Sequence, residues 1–181
     1  MGIKIEDIAY HLPERIVTNE ELGEENPHWN MDQVEERSGV LRRHIAGDDE
    51  TSLDLAFQAC KKLFAANEDA RNHIDGILFC TQSEDYIMPP NSCILHEMLD
   101  LPDDVFALDF NLACSGYVYG LALAQGLVSS GVTKNICASL YAYPASRHCS
   151  FRAQLLPTPV SRTAAMSQLH SRPNNPSRPY Q

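Results

Sequence analysis

Residues 77–80, Ile-Leu-Phe-Cys, form an unbroken apolar run between Asp75-Gly76 and Thr81-Gln82. A strand without polar alternation has both faces covered, and that pattern belongs to parallel sheets flanked by helices. The stretches on either side agree. "DDETSLDLAFQACKKLFAAN" predicts a helix with Thr51 as N-cap, Asp54 completing a capping box, and an apolar stripe of Leu55, Ala56, Ala59, Cys60 and Leu63. "NSCILHEML" predicts a short helix with Asn91 as N-cap after two prolines, and "DVFALDF" a further buried strand. Residues 114–130 predict a helix with almost no polar face, expected to be buried all round. "KNICASL" begins another strand. Strands alternating with helices are β-α-β units, which stack into a mainly parallel α/β architecture. At the start, "GIKIEDIAYHLP" alternates Ile3 and Ile5 and stops at Pro13, predicting a strand and a turn. Residues 19–38 read as a surface excursion of short helical pieces.

Charge divides the chain. All 24 acids lie at or before Asp109, alongside eight lysines and arginines, while the rest carries six cations and no acid. The acidic part excludes general affinity for nucleic acid. From about residue 138 the periodicity fades, and the segment from Ser139 holds six prolines and five scattered arginines. Such composition buries too little surface to offset its ordering entropy. Residues 1–137 are therefore read as the folded unit. Residues 138–181 are read as an atypical Ser/Arg/Pro-rich tail, disordered or out of frame. The arginines accompany no recognition motif, so no nucleic-acid partner is expected.

The opening residues lack the cationic and apolar regions of a signal peptide, and no run is clean enough to cross a bilayer. A cytoplasmic protein without a membrane partner is expected. The six cysteines, at 60, 80, 93, 114, 137 and 149, include no C-x-x-C pair, so neither a metal site nor a disulfide framework is expected.

One thiol stands apart. In "DFNLACSGYVYGLALAQGLVSSG", Cys114 sits among small residues where a strand gives way to a long helix. A helix N-terminus favours a thiolate, and its unpaired N–H groups suit an oxyanion. Core packing of a small hydrophobe is the bland alternative. On pattern alone the two readings are evenly matched.

This segment, with "RSGVLRRHIAGDDETSLDLA" and "CTQSEDYIMPPNSCILHEMLDLP" upstream, resembles β-ketoacyl-[acyl-carrier-protein] synthase III of the thiolase superfamily over residues 2–137. The resemblance implies the N-terminal half of a thiolase-like fold, incomplete by itself, in a protein that is usually a homodimer. It implies an acyltransferase of fatty acid or lipid metabolism. Cys114 would take an acyl group from acyl-CoA as a thioester, and malonyl acyl carrier protein would then condense with loss of carbon dioxide. No permanently bound cofactor is implied, since coenzyme A enters as a thioester substrate. Arg37 matches an arginine that helps bind coenzyme A, although Gln33 stands where the family places an adenine-stacking aromatic, with Trp29 farther upstream. Met88 falls near the acyl channel of the partner subunit. A solvated surface charge for Arg37 and loop packing for Met88 are the competing readings.

The family's catalytic histidine and asparagine belong to its second half, and none of the seven histidines here has the matching setting. The family-like sequence is expected to end near residues 135–137, leaving a chain inactive in condensation unless a second-half chain complements it. The alternative is a non-catalytic dimerisation or carrier-protein-binding module.

Overall fold

The computed structural model describes residues 3–142. Strand β1 (Arg15–Thr18) pairs antiparallel with β2 (Arg42–Ile45), placing Ile16 opposite His44. Between them lie α1 (Asn19–Glu25) and α2 (Met31–Ser38), the short helices expected of the excursion. The two strands that frame it were not legible in the sequence. Asn19 ties the unit together, giving its amide to Val40 O at 2.9 Å and accepting from Arg43 at 2.7 Å. His44 Nδ1 lies 2.6 Å from the Pro13 carbonyl, a structural bond rather than a catalytic one.

The main sheet has the order β4-β3-β5, all parallel, from β3 (Gly76–Thr81), β4 (Phe106–Phe110) and β5 (Ile136–Ala142). Asp75 sets its starting line: its carboxylate accepts from the N–H groups of Lys134 and Asn135, and its carbonyl accepts from the N–H of Phe106. β3 is buried at every residue, as its apolar run requires. Ile77 and Phe79 pack on α3 (Ser52–Ala66) and α5 (Asn91–Met98) with Leu55, Ala56, Cys60 and Leu95. Alternation turns Cys80 to the opposite face, against α6 (Gly116–Ser130). Each fully buried Leu, Ile or Phe here contributes about 1.5–3 kcal/mol. α3 begins at Thr51 with the expected capping box, and α4 (Glu68–His73) leads from it towards β3.

Four expectations are corrected. Residues 3–13 form no strand. A groove of about 560 Å³ stands between residues 3–8 and β5, so no backbone ladder joins them, and the alternating isoleucines line that groove instead. β4 is half-buried rather than buried, with Leu108 exposed, because among the described residues it is an edge strand and only β3 has neighbours on both sides. α6 is not buried all round. It buries the Gly116, Gly120 and Ala124 stripe on the sheet and leaves Val118 and Tyr119 66% and 55% exposed, since no described element covers its outer face. Finally, Asn91 is the first residue of α5, not its cap; Pro90 holds that place and offers no side chain to the helix N–H groups.

β5 crosses the boundary placed at residue 137, with its pairing to β3 running on to Ala142. The remainder of the atypical tail, 143–181, lies outside the described residues. Among the described residues no helix is long and apolar enough to cross a membrane, and no cluster of ligating side chains could hold a metal ion.

Candidate active site around Cys114

β4 ends at Phe110, and the chain passes through Asn111 and Leu112 into a 3-10 turn, Ala113–Ser115, that carries Cys114. The Cys114 side chain is exposed. It precedes α6 rather than standing in its first turn, because the tighter turn intervenes. Ala113 enters that turn at φ 47°, a left-handed conformation that costs a residue with a β-carbon ~1–2 kcal/mol. Backbone strain of this kind gathers where a turn must aim one side chain. Two N–H groups next to Cys114 are already engaged: Ser115 N–H donates to Leu112 O at 3.1 Å, and Gly116 N–H donates to Ala113 O. The 3-10 turn consumes them in closing itself.

The close approach of α6 to the sheet fixes where that turn lies. Cys80 Sγ occupies the space that a β-carbon on residue 116 would take, so only glycine allows α6 to start there. A second support comes from Asp109 on β4. Its two carboxylate oxygens accept from Asn91 N–H and Ser92 N–H, each at 2.8 Å, and so bind β4 to the start of α5. Asn91, wholly buried, gives its amide to Ser52 Oγ and Asp85 Oδ1 at 3.3 Å and accepts from Asp85 N–H at 3.1 Å. This network roots the segment from Ser83 to Pro90 that carries Met88.

Among solved structures, a 3-oxoacyl-(acyl-carrier-protein) synthase III is 42% identical with a TM-score of 0.68, and the match covers 73% of this chain and 39% of that one. β-Ketoacyl-[acyl-carrier-protein] synthase III 2 of Halalkalibacterium halodurans is 35% identical over 133 residues, which is 74% of this chain and 40% of the relative. Over this span the chain is a relative of β-ketoacyl-[acyl-carrier-protein] synthase III. The synthase III of Oenococcus oeni is 38% identical over 131 residues, 71% of this chain and 39% of its own length. That of Thermus thermophilus aligns at 28% identity with a TM-score of 0.68, covering 75% of this chain and 41% of that one. No family model matches. The chain thus spans about 40% of the length of the curated synthase III relatives it matches, and the thiolase-like α/β architecture expected from the sequence is the one observed.

In this synthase III-like frame the other candidate residues belong to other elements than the cysteine turn. Arg37 is exposed in the last turn of α2, an orientation favourable to the helix dipole. Gln33 is exposed on the same helix, and Trp29 stands before it, half-buried and edge-on to His28. Met88 is 73% exposed, next to Ile87 and Tyr86 on the surface loop. Cys114 does not line the groove beside β5, whose walls include Tyr117, Leu121 and Cys137. Gly116 was expected only to leave space beside the Cys114 sulfur, not to admit Cys80, and the support at Asp109 went unnoticed in the sequence. Asp109 had one signal, as an acid inside an otherwise apolar strand pattern.

Proposed function

We propose that this chain supplies the acyl-accepting part of a synthase III-type acyltransferase site, with Cys114 as nucleophile. The observation that carries the reading is an exposed thiol on a strained turn between β4 and α6, in a chain related to synthase III. The Cys114 thiolate attacks the carbonyl carbon of an acyl-CoA. A carbon–sulfur bond forms, the coenzyme A thiolate departs and takes up a proton, and the acyl group remains as a thioester. In the second step malonyl acyl carrier protein loses carbon dioxide. Its carbanion equivalent attacks the thioester, and Cys114 leaves as thiolate. Arg37 is assigned to the coenzyme A phosphates and Met88 to the acyl channel of a partner subunit in a homodimer. Condensation requires the histidine and asparagine of a complete synthase III, from a second half or a complementing chain, so the 181 residues alone are assigned only the first step. A cytoplasmic setting accords with acyl-CoA and acyl carrier protein as reactants, with no resident cofactor.

Intact-mass measurement after incubation with acetyl-CoA tests this directly. The full chain is expected to gain one acetyl group that hydroxylamine removes, and Cys114→Ala none. Equal labelling of both proteins excludes Cys114 as nucleophile.

A non-catalytic dimerisation or carrier-binding module is the second reading. The uncovered apolar face of α6, with Val118, Tyr119 and Leu123 exposed, favours it. Carrier binding or self-association by a folded chain that never acquires an acyl group would select this reading over the first.

A further inference from the structure

Two of the buried cysteines face each other. Cys60, midway along α3, and Cys137, near the start of β5, bring their sulfurs to 3.7 Å across 77 residues of chain. Cys60 is fully buried and Cys137 is 3% exposed. Neither is needed for the chemistry assigned to Cys114. Cys137 also belongs to the lining of the groove beside residues 3–8, whereas Cys60 does not.

We propose that Cys60 and Cys137 form an oxidisable dithiol, in which a hydroperoxide arriving through the groove oxidises Cys137 and Cys60 resolves it to a disulfide joining α3 to β5. The Cys137 thiolate attacks the terminal peroxide oxygen, the O–O bond breaks, and the alkoxide (hydroxide for hydrogen peroxide) leaves and is protonated, so that Cys137 becomes a sulfenic acid. Cys60 sulfur then attacks the Cys137 sulfur. The S–O bond breaks, and the departing oxygen leaves as water with the Cys60 proton. Overall, two thiols and one hydroperoxide give one disulfide, water and the corresponding alcohol, or a second water for hydrogen peroxide. The division of labour follows the groove, whose lining includes Cys137 and not Cys60. With Cys60 as donor, the hydrogen bond between the sulfurs lowers the pKa of the Cys137 thiol, while that bond and burial push Cys60 up. The sulfurs close from 3.7 Å to the ~2.05 Å of a disulfide. The new bond ties the covering helix to the sheet edge that borders the groove.

The test treats the full chain with stoichiometric hydrogen peroxide, once in native buffer and once in urea, followed by non-reducing peptide mapping. Under native conditions a Cys60–Cys137 linked peptide is expected, with loss of alkylatable thiol at both positions and full recovery on adding dithiothreitol. In urea, pairing is expected to scatter over all six cysteines. Cys60→Ser is expected to leave Cys137 as a sulfenic acid captured by dimedone, and Cys137→Ser to leave Cys60 a free thiol. A variant in which Cys93, Cys114 and Cys149 are serine keeps the pair and leaves buried Cys80 as the one other thiol. Persistence of free thiols at 60 and 137 in both proteins overturns the proposal. So does pairing that is no more selective in buffer than in urea.

Discussion

The carboxylate of Asp109 accepts the N–H of Asn91 at 2.8 Å, joining an edge strand to the first residue of a helix 18 positions earlier in the chain. Its other oxygen takes the N–H of Ser92 at the same distance. The N-cap of α5 is Pro90, which offers no capping side chain, so Asp109 does from another element what an N-cap does locally. Asp109→Ala is expected to lower stability by about 2 kcal/mol, since two charge-assisted bonds are lost and buried N–H groups are left unpaired. Asp109→Asn, which keeps an acceptor, is expected to lose less. Urea denaturation of the two variants checks both the size and the order.

Gly116→Ala is expected to destabilise by about 1–3 kcal/mol, because the added methyl meets Cys80 Sγ and must push α6 off the sheet. Shortening the opposing side chain tests the cause. In the double variant with Cys80→Ala, a substantial part of the loss is expected to return, and a double-mutant cycle measures that coupling. Additive losses would place the cost elsewhere.

At α3 the Thr51 hydroxyl accepts from Asp54 N–H at 3.1 Å, while the Asp54 carboxylate accepts from Thr51 N–H at 2.8 Å. Thr51→Ala removes half of this exchange and is expected to cost about 1 kcal/mol, with Thr51→Ser nearly neutral. The denaturation midpoint is the readout.

His11 is held below its ordinary pKa of 6.5, first by burial and then by the nearby charge of Lys62. The unfolded chain therefore binds this proton more readily than the folded one. The stability that neutral His11 contributes is fully present above pH 6.5 and is lost as pH falls through 6.5 towards the lower folded value. Midpoints measured from about pH 8 down to 5 are expected to fall more steeply for the native chain than for His11→Gln. Parallel curves would remove His11 as the cause.

Elements whose stabilising contacts lie within one turn were legible from the residues. α3 is the clearest, since its cap, box and apolar stripe are all local. The β3 run was equally clear, because a strand covered on both faces has no reason to alternate. Cys114 could be singled out for its position at the junction, but the turn holding it could not be foreseen. The positive φ of Ala113 and the 3-10 hydrogen bonds arise from fitting β4 to α6 across Gly116 and Cys80. The alternation of Ile3 and Ile5 misled for a related reason. Period-two apolar spacing does not record whether an edge is close enough to pair with, and Ile5 stays 49% exposed.

The order of amino acids alone determined an α/β chain of parallel strands and the start of its best helix, and it set Cys114 at a strand-to-helix junction. Tertiary structure decided which strands became edges, which face of α6 stayed uncovered, that Asp109 would cap a distant helix and that Cys60 would meet Cys137. The difference is one of range. Capping and periodicity act between residues a few positions apart, whereas edge position, burial and sulfur contact depend on segments that meet only when the sheet assembles.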